Sequence, residues 1–98
     1  MTEDQRFVPE SFQVLHRDGR QRLALPWEEL VSRHEWCEDF CQASEEQVRW
    51  LLTEHGLTPD ELAASVVERL TAPDWLNDAE RGWVGSRLAE LLERPPGR

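Results

Sequence analysis

The side chains best suited to chemistry in this 98-residue chain lie within eight consecutive positions: His34, Cys37, Glu38 and Cys41. In a helix, offsets of three, four and seven residues place all four on one face. Zinc prefers Cys and His ligands, and one of the other two histidines could supply a fourth. The spacing therefore allows a metal- or redox-sensing site formed by His34, Cys37 and Cys41.

The same residues also fit an ordinary helical core. Cysteine behaves as a small hydrophobic residue in protein interiors, and Glu38 lies one turn after His34, where it can pair with the imidazole. A disulfide between Cys37 and Cys41 would need strained geometry within a regular helix. We therefore expect two reduced, buried thiols and keep the metal or redox site as the alternative interpretation.

Motifs typical of enzymes are missing from the sequence. It contains no phosphate-binding loop, dinucleotide fingerprint, GxSxG elbow or glycine-rich oxyanion turn. Its acidic pairs are adjacent in sequence, so on a helix their carboxylates point to different sides. We therefore predict a protein that is not an enzyme and needs no cofactor.

Aromatic and basic residues point instead to a surface that binds another protein. Tryptophan and arginine are enriched at the energetic centres of protein interfaces. Trp36 and Phe40 lie one turn apart, away from the apolar stripe of their predicted helix. Trp50 likewise lies away from the apolar stripe of the next predicted helix. Arg17 and Arg20 would form a basic edge at a turn. These five residues are the predicted partner-binding residues; the alternative is that the apolar face of an N-terminal β-hairpin, described below, covers Trp36 and Phe40.

The charge balance limits what the partner can be. Eleven basic residues, all arginine, stand against twenty acidic ones, for a net charge of −9. Nucleic-acid binding depends on cations that displace counterions, so we predict none. No apolar run approaches the roughly 20 residues that cross a bilayer, and the N-terminus lacks secretory-signal features. We expect a cytoplasmic protein that binds neither nucleic acid nor membrane and whose protein partner has a basic surface.

A β-hairpin over residues 12–25 is predicted to carry the basic edge. Two runs of alternating apolar residues flank Asp18-Gly19, a dipeptide typical of two-residue hairpin turns. A turn centred there pairs Phe12 with Leu25 on one apolar face. Because an isolated hairpin is only marginally stable, it must pack against the rest of the chain.

Four helices are predicted after the hairpin, at about 27–41, 45–55, 59–71 and 78–93. Serine, threonine or asparagine followed three residues later by glutamine or glutamate predicts a capping box at the start of each of the last three. These pairs are Ser44/Gln47, Thr58/Glu61 and Asn77/Glu80. Gly56 is predicted to end the second helix.

The sequence thus predicts a mainly helical α+β fold, with an N-terminal β-hairpin packed on a compact array of about four α-helices. Residues 12–94 would form a single small domain, residues 1–11 a flexible tail and residues 95–98 a C-terminal tail. The predicted function is stoichiometric protein binding, as an adaptor, inhibitor, anti-activator or immunity-like protein that masks a basic site on its partner. A homodimer is compatible with this interpretation and with the metal alternative.

Overall fold

The computed structural model describes residues 7–94, and this part of the chain is helical. A short helix α1 (Glu10–Gln13) continues into a 3-10 turn (Val14–His16). Four further helices follow: α2 (Trp27–Val48), α3 (Trp50–Glu54), α4 (Pro59–Glu68) and α5 (Asp78–Glu93). No β-strand occurs between residues 7 and 94, so the predicted α+β class with an N-terminal β-hairpin is wrong.

The segment predicted as a hairpin forms a short helix and a loop. Phe12 lies in α1 and is fully buried, and Val14 begins the 3-10 turn. Arg17 and Leu23 form an isolated antiparallel bridge, which is all the strand pairing in this segment. The alternation of apolar residues was therefore misleading, because Phe12 is buried by a helical turn and not by a sheet face.

The Asp18 side chain explains why the turn differs from the predicted two-residue type. Its Oδ1 accepts hydrogen bonds from the backbone N–H of Arg20 at 2.8 Å and of Arg22 at 3.0 Å. Gln21 takes a positive φ of 65° to close the loop. An aspartate that binds the backbone ahead of it stabilises a local turn in place of a ladder.

Helix α2 is longer than predicted and replaces two predicted elements. It passes through Ser44 without interruption, so the capping box predicted at Ser44/Gln47 does not start a new helix. Only Arg49 separates α2 from α3, and its own backbone is right-handed helical. The first strong breaker after Trp27 is Gly56, which takes a φ of 64° after α3. Ser44 is tolerated within the helix because no glycine or proline accompanies it.

The other two capping boxes are confirmed. The Thr58 hydroxyl accepts a hydrogen bond from the Glu61 N–H at 3.1 Å, and the Glu61 carboxylate accepts one from the Thr58 N–H at 3.0 Å. Asn77 and Glu80 exchange the equivalent bonds at 2.8 and 3.0 Å. Accordingly α5 has the predicted limits, whereas α4 ends at Glu68, three residues before its predicted end at 71.

Helix α5 is the centre of the packing. It packs against α4 and α2 and also contacts α1. The core that it completes includes the fully buried residues Phe12, Leu30, Val84 and Leu88. These side chains come from α1, α2 and α5, so the N-terminal segment is part of the same apolar core.

The predicted tails fall partly outside the described residues. Residues 1–6 and 95–98 lie outside them. Within the predicted tail 1–11, however, Val8 is buried in the core and α1 already begins at Glu10. The ordered fold therefore begins before residue 12.

Candidate functional site

A groove of about 860 Å³ opens between the N-terminal segment, α2 and α5. Aromatic and apolar side chains line one part of it, notably Phe7, Leu15 and Trp83. His34 and Glu38 enter it from α2. A concave, largely apolar surface with a few polar groups is the usual form of a binding site.

Aromatic rings pack together at the base of the groove. Phe12 contacts Trp83 edge to face, with ring centroids 5.2 Å apart, and His34 lies 5.4 Å from each of these two rings. The Trp83 Nε1–H donates a 2.9 Å hydrogen bond to the Ser11 hydroxyl. Burial lowers the pKa of His34, with smaller opposing effects from nearby carboxylates. His34 is thus a neutral packing residue of the groove at neutral pH.

Charged residues form the other part of the groove. Arg87 donates from Nε and Nη2 to the two Glu38 oxygens at 2.9 and 2.8 Å, and from Nη1 to Glu90 at 3.1 Å. The Arg87 hydrogen bonds are the main reason that the pKa of Glu38 is lowered. One guanidinium therefore holds two carboxylates, and this triad keeps a net negative charge.

A separate ionic network is buried where the N-terminal segment, α2 and α5 meet. Glu80 is fully buried, and its Oε2 lies 2.7 Å from both His16 Nε2 and Arg33 Nε. Its Oε1 accepts from Arg33 Nη2 and from the Asn77 N–H, each at 3.0 Å. Burial by itself would raise the pKa of Glu80, but these hydrogen bonds outweigh it and lower the pKa. The network is therefore structural, because all of its contacts join elements of the fold.

The residues of the metal alternative do not share one site: Cys37 and Cys41 lie in the core, and His34 lines the groove. Cys37 and Cys41 are fully buried, and burial raises the pKa of each thiol to about 12. The Cys41 thiol donates to the Val84 carbonyl at 3.5 Å. Among residues 7–94, no group of three or more His, Cys, Asp or Glu side chains is arranged to hold a metal ion. The geometry thus gives the metal or redox interpretation no support, since protonated buried thiols are poor ligands and poor nucleophiles.

The predicted partner-binding aromatics form part of a surface that we call the aromatic ridge, which consists of Phe40, Trp36 and Trp75. Trp36 stacks on Phe40 with ring centroids 5.4 Å apart, and Trp75 meets Trp36 edge to face at 5.6 Å. Trp36 and Phe40 are half-buried and Trp75 is 38% exposed. The Arg33 guanidinium lies over the Trp75 ring, 4.7 Å from its centroid. Because no hairpin forms among residues 7–94, a hairpin does not cover Trp36 and Phe40; both rings are half-buried against the core.

The other three predicted partner-binding residues are not part of the aromatic ridge. Trp50 is 57% exposed on α3, and its indole N–H donates to the Gln47 carbonyl. Arg17 is held by two hydrogen bonds to the Glu10 carboxylate, so its charge is already paired. Arg20 is exposed in the loop.

Sequence reasoning missed three functional features of the surface and core. The groove could not be seen, because it depends on how α1 and α5 pack. Trp75 is not among the predicted site residues, although an aromatic residue between Pro73 and Leu76 is a signal of a packed turn. Glu80 was recognised only as a capping residue, and its position in the buried stripe of α5 was the available sign of a buried carboxylate.

Comparisons of this chain with protein-family models, with curated proteins and with solved structures find no match. Within residues 7–94, no helix combines the length and the apolar character that crossing a membrane requires.

Proposed function

We propose that this protein is a stoichiometric protein-binding module whose partner presents a basic segment to the aromatic ridge. The observation that carries the proposal is the position of Arg33 over Trp75 at one end of the ridge. Arg33 is paired with Glu80 and occupies this face of Trp75, so a cation of the partner would use the remaining ring faces of the ridge. Aromatic faces attract cations, and Trp is the strongest of the aromatic side chains in this respect.

Acidic residues run beside the ridge along α2. Helical spacing places Glu28, Glu35, Asp39 and Glu46 on the stripe adjacent to Trp36 and Phe40, and all four are exposed. With the net charge of −9, this stripe favours a positively charged partner. Complementary charge of this kind speeds association and excludes acidic partners. The half-buried rings would then supply the apolar contact at the centre of the interface.

An adaptor, an inhibitor, an anti-activator and an immunity-like protein would each use such a surface in the same way, by covering a basic site on the partner. We place this action in the cytoplasm, where buried, unpaired thiols such as Cys37 and Cys41 are usual.

The proposal is tested with a peptide that alternates arginine and leucine, titrated into the isotope-labelled full chain while its amide and indole signals are followed. We expect the Trp36 and Trp75 indole signals to move, and the affinity to fall about tenfold in Asp39→Lys. Glu68→Lys is the matched control, because it makes the same charge change at an exposed position of α4.

Equal weakening by Asp39→Lys and Glu68→Lys would mean that only net charge matters, and it would overturn the assignment to the ridge. Signals that move elsewhere and leave Trp36 and Trp75 unchanged would do the same. A peptide in which glutamate replaces arginine should not bind.

A further inference from the structure

The groove extends along α5. Its lining on this helix runs from Ala79 to Glu90, which corresponds to about 16 Å, or three turns. A compact small molecule would fill only part of this length. A helix of about three turns would fill it from end to end.

Two glycines inside α5 have different surroundings. A Cβ built on Gly85 would lie 3.3 Å from Val67 Cγ2, so the close approach of α4 accounts for that glycine. A Cβ built on Gly82 would meet nothing within 4 Å, and Gly82 lines the groove. Glycine is unfavourable inside a helix compared with alanine, and no contact within the described protein explains Gly82. The open space above it allows an occupant to approach the α5 backbone closely.

The apolar side chains that line the groove leave a large apolar surface exposed to water. Phe7 is 77% exposed, the highest value among the large apolar side chains described. Leu15 and Trp83 line the same part of the groove. An occupant with an apolar stripe would remove this surface from water, which favours association.

The charged side of the groove favours an occupant that carries positive charge. Glu38 and Glu90 share the single guanidinium of Arg87, so the triad keeps a net negative charge. The Glu90 side chain is 67% exposed and can accept a further hydrogen bond. A basic side chain beside Glu90 would complete this pairing.

We propose that the groove binds a basic amphipathic α-helix of another protein. Its apolar residues would contact Phe7 and Trp83, its backbone would pass over Gly82, and a lysine or arginine would bind Glu90. The groove lies on the opposite side of α2 from the aromatic ridge, so the proposal stands without the one made for the ridge.

The test is a selection of helix-forming peptides of about 12 residues, displayed as a library, on the immobilised full chain. We expect the enriched peptides to share apolar residues at i, i+3 or i+4, and i+7, together with at least one lysine or arginine. Gly82→Leu should weaken their binding at least about tenfold while melting at or above the wild-type temperature, because leucine enters open space and favours the helix. Ala64→Leu, at an exposed position of α4, is the matched control and should bind like the wild type.

Four outcomes of the peptide experiments would overturn the proposal. They are a selection that enriches no peptide, enrichment of proline-rich peptides that cannot be helical, equal binding to Gly82→Leu, and a loss in Ala64→Leu as large as that in Gly82→Leu. Sedimentation of the chain alone tests whether a second copy of the chain occupies the groove. A dimer that dissociates on Gly82→Leu would assign the groove to that second copy. Co-purification of a small molecule that Gly82→Leu releases would likewise contradict the proposal. Trp75→Ala removes a ring of the ridge without changing the charge of the chain, so it should leave peptide binding in the groove unchanged, which separates this test from that of the ridge.

Discussion

His16 Nε2 lies 2.7 Å from Glu80 Oε2, and this contact joins residues 64 positions apart at a place almost closed to water. It ties the N-terminal segment to α5, while Arg33 ties α2 to the same carboxylate. The His16 imidazole and the Arg33 guanidinium around Glu80 therefore fix three elements relative to one another. Both proposed binding surfaces depend on that arrangement, because the groove and the ridge lie on either side of it.

Removing the Glu80 charge should be strongly destabilising. Glu80→Gln removes the main counter-ion of the Arg33 guanidinium, which keeps the half-exposed Glu29 at 3.7 Å, and breaking a buried pair in this way typically costs about 3–5 kcal/mol. Urea unfolding measures the loss. Glu90→Gln, at an exposed ion pair, should change the free energy of unfolding by about 0.5 kcal/mol or less. If the two variants lost equal stability, the buried network would not be structural. Combining Glu80→Gln with Arg33→Met should cost less than the sum of the single changes.

Stability should fall in two stages as the solution becomes acidic. The pKa of His34 is lowered below its usual 6.5, mainly by burial. His34 of the unfolded chain therefore binds a proton more readily than His34 of the folded protein, and stability drops as the pH falls below 6.5 towards the lowered pKa. The lowered pKa values of Glu38 and Glu80 add a second loss below their usual value of 4.5. Urea midpoints from neutral pH to about pH 2 test this, and His34→Phe should reduce the first stage. A larger first stage in His34→Phe would contradict the assignment.

The two thiols should be inert in the folded protein. Cys37 and Cys41 are fully buried with pKa values of about 12, so a thiol reagent at mildly alkaline pH should label neither until the chain unfolds. Labelling is followed by mass spectrometry, with denatured protein as the control that gives two labels. Rapid labelling of the native chain would restore the redox interpretation.

Alanine at the two glycines of α5 should have unequal effects. Gly82→Ala gains helix propensity at no steric cost, so it should stabilise the fold by about 0.5–1 kcal/mol. Gly85→Ala must displace Val67 Cγ2 and should gain less. Thermal unfolding of both variants gives the comparison. In a Val67→Ala background the difference should shrink; an undiminished difference would show that Val67 is not its cause.

Arg49 should control the end of α5. Its Nη2 donates to the Leu91 carbonyl at 2.7 Å, which also accepts from the Arg94 N–H, and its Nη1 donates to the Arg94 carbonyl at 2.9 Å, at the helix end where carbonyls lack the usual partners. Arg49→Met keeps the apolar stem of the side chain and removes these bonds together with the ion pair to Glu45, so it should cost about 1–3 kcal/mol. Hydrogen exchange should speed up in the last turn of α5 and leave α4 unchanged. Uniform acceleration along the chain would indicate global destabilisation instead.

Local signals in the sequence were sufficient for the second half of the fold. Thr58, Asn77 and Gly56 act through bonds or dihedrals of their immediate neighbours, so the ends that they mark can be read from the sequence. The alternation around Asp18-Gly19 failed because Phe12 is buried by Trp83, which is 71 residues away in sequence. The same limit applies to the site. Trp36 and Phe40 were recognised individually, but their contact with Trp75 and the space above Gly82 arise only from tertiary packing.

The central position of α5 has a consequence for synthesis of the protein. The helices α1, α2 and α4 all pack against this one element, and it is the last of the helices described to leave the ribosome. Until residues 78–93 emerge, the apolar faces of the earlier helices have no common surface on which to pack, and helices on their own are only marginally stable in water. The helices made before α5 should therefore remain open until residues 78–93 have emerged, and until then they are accessible to chaperones.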